Sequence, residues 1–320
     1  MRCIIKINVS DDLLLLVSTL YYIEGLGQTR VAELAGISQA TVSRLLEEAR
    51  KMGIVQISVK PFSARDDELE EQLKERHNLN TVLVIKTIPG HSDENRRRAL
   101  GHFAGPIISN LIQSNSRVCV AAGRHINSLT DNMSPSGNTP GVTFIQAMGD
   151  ISTHIKEDDA IEITRKLSKR WNGQFLRLQA PAITENSQTY EAFVSHEQIK
   201  FVLSQIDNAD LAFVGIGVHG NSVFYDRDFL KTNDINYLVQ KGVVGEICGH
   251  FFNKYGDECN TAYRNHVIGV SLEQLKKIPQ VIAVTSGPYR AEALAAAIRG
   301  NLINSLIIDD IGAKALMQLS

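Results

Sequence analysis

Between Gln28 and Leu46 the chain reads QTRVAELAGISQATVSRLL, a spacing that fits two short helices joined by a tight turn. Val31 and Leu34 sit three apart on the first helix, and Ala32 and Ala35 are small enough for a second helix to cross closely. Gly36 can take the left-handed conformation that ends a helix. Ile37 can plug the space between the helices, and Ser38 is a good N-cap for the next one. That helix places Val42, Leu45, Leu46 and Ala49 at i, i+3, i+4 and i+7, an inward stripe. Its outward positions are polar or small: Ser38, Gln39, Ala40, Thr41, Ser43 and Arg44, with Thr29 at the start of the helix before it. Such groups suit base edges and phosphates at the front of a recognition helix. An ordinary helical hairpin shares the spacing. The coincidence of turn residue, cap and polar set points to double-stranded DNA as a partner.

At 320 residues the chain has room for two or three domains. It is 43% hydrophobic and 21% charged, a globular composition. A net charge of −2 speaks against indiscriminate coating of nucleic acid. Residues 1–60 carry a net charge of only +1, so the DNA reading rests on pattern and not on charge. Cys3, Cys119, Cys248 and Cys259 lie far apart, with no metal-ligand spacing and no disulfide framework. No metal or cofactor is expected. No apolar run approaches the roughly 18 residues that span a bilayer, and MRCIIKINVSDD lacks the features of a secretory signal. A cytoplasmic protein without a membrane contact is expected.

A first helix should run from Asp11 or Asp12 to Glu24. After the third helix, IVQISV (54–59) alternates and is β-branched, so it reads as the strand of a wing. Lys60 and Pro61 close a helix-turn-helix domain over 1–60. A charged linker helix follows within 61–80, with Leu69 and Leu73 on its apolar side; it is either solvated or a dimer contact. From Thr81 to Ser320 short apolar strands (81–85, 117–122, 142–148, 211–217, 280–286, 305–309) alternate with helical segments. This is the pattern of an open, doubly wound, Rossmann-like parallel α/β sheet. The fold class is therefore α/β, a winged helix-turn-helix domain followed by a sensor domain.

These residues resemble a known family. LYYIEGLGQTRVAELAGISQATVSRLLEEARKMGIVQISV is similar to the DNA-binding domain of the SorC family of bacterial sugar-catabolism regulators. The similarity continues through AFVGIG (212–217), KGVVGEICGHFFNKYG (241–256) and residues 266–310. It implies a sensor fold similar to ribose-phosphate isomerases, glucosamine-phosphate deaminases and CoA transferases. It also implies a phosphorylated sugar as effector and a homo-oligomer, a dimer of dimers.

In open α/β sheets ligands bind beyond the carboxyl ends of the strands. AAGRHINS (121–128) gives a strand, Gly123 and a helix N-terminus, an anion-binding arrangement. The family resemblance places Arg124 and His125 there, with His125 replacing its usual threonine. TSGPYRAE (285–292) repeats the pattern with Gly287, and Arg290 stands near the family's usual lysine. Arg290 is either a bidentate phosphate ligand or a surface arginine. VVGEICG (243–249) reads as a third strand end, with Glu246 in place of the family's aspartate, suited to sugar hydroxyls. Gln146 matches a polar family position and either points into the pocket or is satisfied on its strand. Gly217 permits close approach; His219 has no assigned role.

Two functions compete. The first is a DNA-binding regulator of a carbohydrate-catabolism operon, controlled by a phosphorylated sugar or polyol. The second is a sugar-phosphate isomerase or deaminase-like enzyme with Glu246 as base and His125 or His219 assisting. The fused DNA-reading domain and the lack of a carboxylate pair or lysine in the pocket favour the regulator over the enzyme.

Overall fold

The computed structural model describes residues 11–59, 62–226 and 229–319. The start of the chain and the expected closing pair Lys60 and Pro61 lie outside them. Contacts divide the chain into two compact units that meet between Phe62 and Ser63.

In the first unit, helix α1 spans Asp11–Ser18 and continues as one wider turn over Thr19–Ile23. Helices α2 (Gln28–Ala35) and α3 (Gln39–Lys51) follow. Gly36 is left-handed (φ 67°), and the Ile37 N–H donates to the Ala32 carbonyl at 3.0 Å, which closes the turn between α2 and α3. The Ser38 hydroxyl accepts from the Thr41 N–H at 3.1 Å, capping α3 as its position implies. Val42, Leu45, Leu46 and Ala49 are buried together with Leu14, Val17, Leu20, Val31 and Ala32. Leu34 departs from expectation: the inward face of α2 is centred on Val31 and Ala32, which leaves Leu34 52% exposed. The wing strand also fails to form. Residues 54–59 pair with no strand among the described residues, and Ile57 and Val59 stay exposed. Alternation supplies a pleated surface, but a strand needs a neighbour for its backbone groups.

The second unit opens with α4 (Asp67–His77), followed by β1 (Thr81–Ile85), α5 (Asp93–Ser109), β2 (Arg117–Val120), α6 (Arg124–Asp131) and β3 (Thr143–Gln146). Next come α7 (Ala160–Arg170), β4 (Gln174–Leu176), α8 (Ser187–Val194), α9 (Glu197–Ile206), β5 (Leu211–Val214), α10 (Val223–Asp226) and α11 (Thr232–Gln240). The unit ends with β6 (Gly245–Ile247), β7 (His250–Phe252), α12 (Leu272–Leu275), β8 (Gln280–Val284), α13 (Ala291–Arg299), β9 (Ser305–Asp309) and α14 (Asp310–Gln318). Seven strands form one parallel sheet in the order β1-β9-β8-β5-β2-β3-β4. Their near-continuous apolar character matches burial on both faces: Val82 to Ile85 and Leu306 to Ile308 are all buried.

Helix α4 is part of this unit and not a free linker. Leu73 is buried in the sheet's own core. Glu70, 7% exposed, accepts the Val84 N–H at 3.0 Å and the Arg65 guanidinium. Residues 245–252 hold a second correction. Glu246 lies in a two-stranded antiparallel ribbon of β6 and β7, not at the end of a sheet strand. Cys248 and Gly249, both at positive φ, make its two-residue turn.

The chain enters the sheet centre at β2, grows outward through β3 and β4, then returns to β5 on the other side of β2 and proceeds through β8 and β9. Between β2 and β5 the direction of winding reverses. The loops leaving these two strands therefore diverge and open a crevice at the carboxyl edge.

Candidate functional site

On α3, Gln39, Ala40, Ser43 and Arg44 are exposed along one face, as are Ser38 before it and Thr29 on α2; Thr41 is half-buried. The Ser38 and Thr41 hydroxyls lie 2.8 Å apart and bond to each other, so cap and face share atoms. Arg44 has no ion-pair partner among the described residues, in contrast to Arg30, which pairs with Glu33.

In the second unit, the loops after β2, β5 and β8 line a small open pocket with a cavity volume of about 50 Å³. Gly123, Arg124, His125, Gly217, Glu246 and Arg290 all line it. Gly287 and Gln146 do not. Gln146 is fully buried, its amide donating to the Met148 carbonyl and to Asp150, its oxygen accepting from the Leu178 N–H. It ties the exit of β3 to the chain after β4. His219 bonds the Val243 carbonyl at 2.8 Å.

The two glycine amides are already used. The Gly123 N–H donates to the Asp158 carbonyl at 2.8 Å, and the Gly287 N–H donates to the Asp309 carboxylate at 2.9 Å. Any backbone donors for an anion on the β2 side must come from the first turn of α6, residues 124 to 126, which lies beyond intrahelical reach.

Arg290 is 4% exposed. Its Nε donates to the Ile216 carbonyl at 3.0 Å, Nη1 to the Ser286 carbonyl and the Tyr289 hydroxyl, and Nη2 to Asn221 Oδ1 at 2.6 Å. These acceptors are all neutral. Among the described residues no carboxylate lies within ion-pair distance of it; the guanidinium stacks over the Tyr289 ring at 4.5 Å and feels Asp93 only from further away. Burying a cation without a close counter-charge is costly, and an anionic ligand would relieve that cost. Arg124 at the mouth is 43% exposed and pairs with Asp226 at 3.0 Å. Burial and the charges of Arg290, Arg97 and Arg124 push the His125 imidazole well below the usual histidine range. It is therefore neutral at physiological pH and bonds the Ser286 hydroxyl at 2.8 Å.

Also lining the pocket, Glu246 is 6% exposed. Burial raises its carboxyl to about 7, against the pull of the Gly249 N–H, which donates to Oε1 at 2.6 Å. Near neutrality it can accept or donate a hydrogen bond, a useful property opposite sugar hydroxyls.

Sequence reasoning missed Arg97, Asn221 and Asp226. Asn221, in the loop after β5, and Asp226, at the end of the four-residue helix α10, lie in a stretch without periodicity and carried no signal. Arg97 had one: in the run Arg96-Arg97-Arg98 on an amphipathic helix the three side chains must diverge by about 100° each. Arg96 faces Asp309 and Arg98 pairs with Glu94, which leaves Arg97 half-buried beside Arg124.

The family model described as "Putative sugar-binding domain" matches residues 63–318. The uncharacterized transcriptional regulator YjhU of Escherichia coli is 27% identical over 96% of this chain and 95% of its own length. A DeoR family transcriptional regulator from Listeria monocytogenes superposes with a TM-score of 0.72 at 28% identity, covering 78% of this chain and 98% of that one. The full-length sorbitol operon regulator SorC from Klebsiella pneumoniae shares the fold over 97% of this chain and 99% of its own, with a TM-score of 0.75 at 23% identity. With the pocket at the carboxyl edge and a helix-turn-helix unit before it, this chain belongs to the "Putative sugar-binding domain" family, whose match spans residues 63–318.

Proposed function

We propose that the chain regulates a carbohydrate-catabolism operon, with Thr29, Ser38, Gln39, Ala40, Thr41, Ser43 and Arg44 facing operator DNA and a phosphorylated sugar or sugar alcohol as effector. The observation that carries the effector reading is Arg290: a buried guanidinium in the pocket wall with no carboxylate within ion-pair distance among the described residues. A phosphoryl group at this end takes charge-assisted bonds from Arg290 and Arg124 and amide donors from the first turn of α6. Glu246 faces the hydroxyls at the other end, and Gly123, His125 and Gly217 shape the floor. Gly287 acts only through the loop that presents Arg290.

A ligand shifts operator affinity only through different affinities for two states of the protein. In this reading a homo-oligomer, a dimer of dimers, places two recognition helices on matched half-sites, in the cytoplasm and without a membrane contact. Light scattering at micromolar concentration checks the assembly: a tetramer is expected, and a monomer with and without DNA would defeat that part. Thermal-shift screening of phosphorylated sugars and polyols tests the effector, since a ligand at a hundredfold excess over Kd adds about 2.7 kcal/mol. No shift with any phosphorylated compound would remove the proposal.

A further inference from the structure

The arginines of the pocket are held by a segment of the protein itself. Asn221 Oδ1 accepts from Arg290 Nη2 at 2.6 Å and from Arg124 Nη2 at 3.1 Å. Asp226, one turn of α10 further on, lies 3.0 Å from the same Arg124 nitrogen. Asn221 Nδ2 also donates to the Tyr289 hydroxyl at 3.3 Å. One amide oxygen thus bridges both guanidinium groups and one carboxylate engages Arg124, contacts that a phosphoryl group could replace. The segment is anchored at Phe224, which is fully buried in the core, while Asn221 and Asp226 on either side of it carry the contacts to the arginines. It turns through a Val218–Asn221 pair of backbone bonds, and Tyr225 and Asp226 are exposed.

We propose that residues 218–226 are an internal competitor for the anion site: Asn221 and Asp226 occupy Arg124 and Arg290 in the free protein, and an incoming phosphoryl group displaces them. This rests on the effector reading above. It adds that affinity is set by the segment as well as by the ligand contacts, and that the segment loosens on binding where a lid would close. Asp226 is then a residue whose removal strengthens binding, the opposite of a ligand contact.

The test uses the full chain and inorganic phosphate as probe, titrated by calorimetry at low ionic strength against wild type, Asp226→Ala and Arg290→Ala. A half-exposed ion pair of this kind is worth up to about fivefold, so Asp226→Ala should bind phosphate about threefold or more tighter than wild type. Hydrogen exchange over 218–226 should speed up when phosphate is added to the wild-type protein. Unchanged or weaker binding by Asp226→Ala, or slower exchange of the segment, overturns the competitor while leaving the effector site standing, provided Arg290→Ala abolishes binding. Phosphate binding undiminished in Arg290→Ala, or absent from both wild type and Asp226→Ala, overturns the effector site and the competitor with it.

Discussion

Gly217 and Glu246 exchange both backbone hydrogen bonds at 2.9 Å, and the carboxylate of Glu246 lies where a side chain at position 217 would be. A Cβ there would overlap Glu246 Oε2 and approach the Ser222 Cβ to 2.7 Å. The missing side chain at the exit of β5 is therefore what lets the β6–β7 ribbon aim its acid into the pocket.

Gly217→Ala should move Glu246 or its ribbon and weaken effector binding by about tenfold, roughly 1.4 kcal/mol, with the fold retained. Calorimetry against the effector and a circular dichroism melt separate the two effects. Unaltered affinity would show that the close approach has no role in the site.

Glu246 should give stability a distinctive pH dependence. Its carboxyl is raised from 4.5 to about 7 by burial, so the folded state favours the protonated form. Its contribution is complete below about pH 4.5 and is lost as pH rises through 7. Glu246→Gln removes that loss. The variant's melting temperature should therefore rise relative to wild type between pH 5 and pH 8, whereas a flat difference would mean an ordinary carboxyl.

Much of this was legible in the sequence, for identifiable reasons. The turn at Gly36, the cap at Ser38 and the stripe from Val42 to Ala49 are local, so spacing alone defines them. The sheet strands were legible because burial on both faces writes itself as apolar runs. Three kinds of feature were not. Residues 54–59 have the pattern of a strand, but pairing depends on a neighbour that no pattern supplies. Glu246 was expected at a sheet-strand end, although antiparallel and parallel strands of three residues read alike. Gln146 and Gly287 were expected at the ligand, but their hydrogen bonds run to Leu178 and Asp309, partners 32 and 22 residues away. Asn221 and Asp226 reach Arg124 from 97 and 102 positions further along the chain, a proximity that only the sheet order creates.

Helix α4 should prove integral to the sensor unit. Glu70→Ala leaves the buried Val84 N–H without its acceptor and removes the partner of Arg65. A loss of about 1–3 kcal/mol in unfolding free energy is expected, measured by urea denaturation. A change under about 0.5 kcal/mol would place α4 outside the cooperative unit.

On α3, Arg44→Ala and Gln39→Ala should each cost about 1–3 kcal/mol in operator affinity if they reach base edges. Folding and effector binding should be intact. Mobility-shift assays on the DNA fragment bound by the wild-type protein give the answer. Wild-type affinity in both variants would mean that α3 is not the reading helix.

The most direct test of the whole account is calorimetry of the full chain with a phosphorylated sugar that binds and with its unphosphorylated parent, repeated on Arg290→Ala. A buried guanidinium awaiting an anion predicts that the phosphorylated compound binds wild type about a hundredfold more tightly than its parent, roughly 2.7 kcal/mol. It also predicts that Arg290→Ala removes most of that difference. Equal affinity of the two compounds for the wild-type protein would contradict the account.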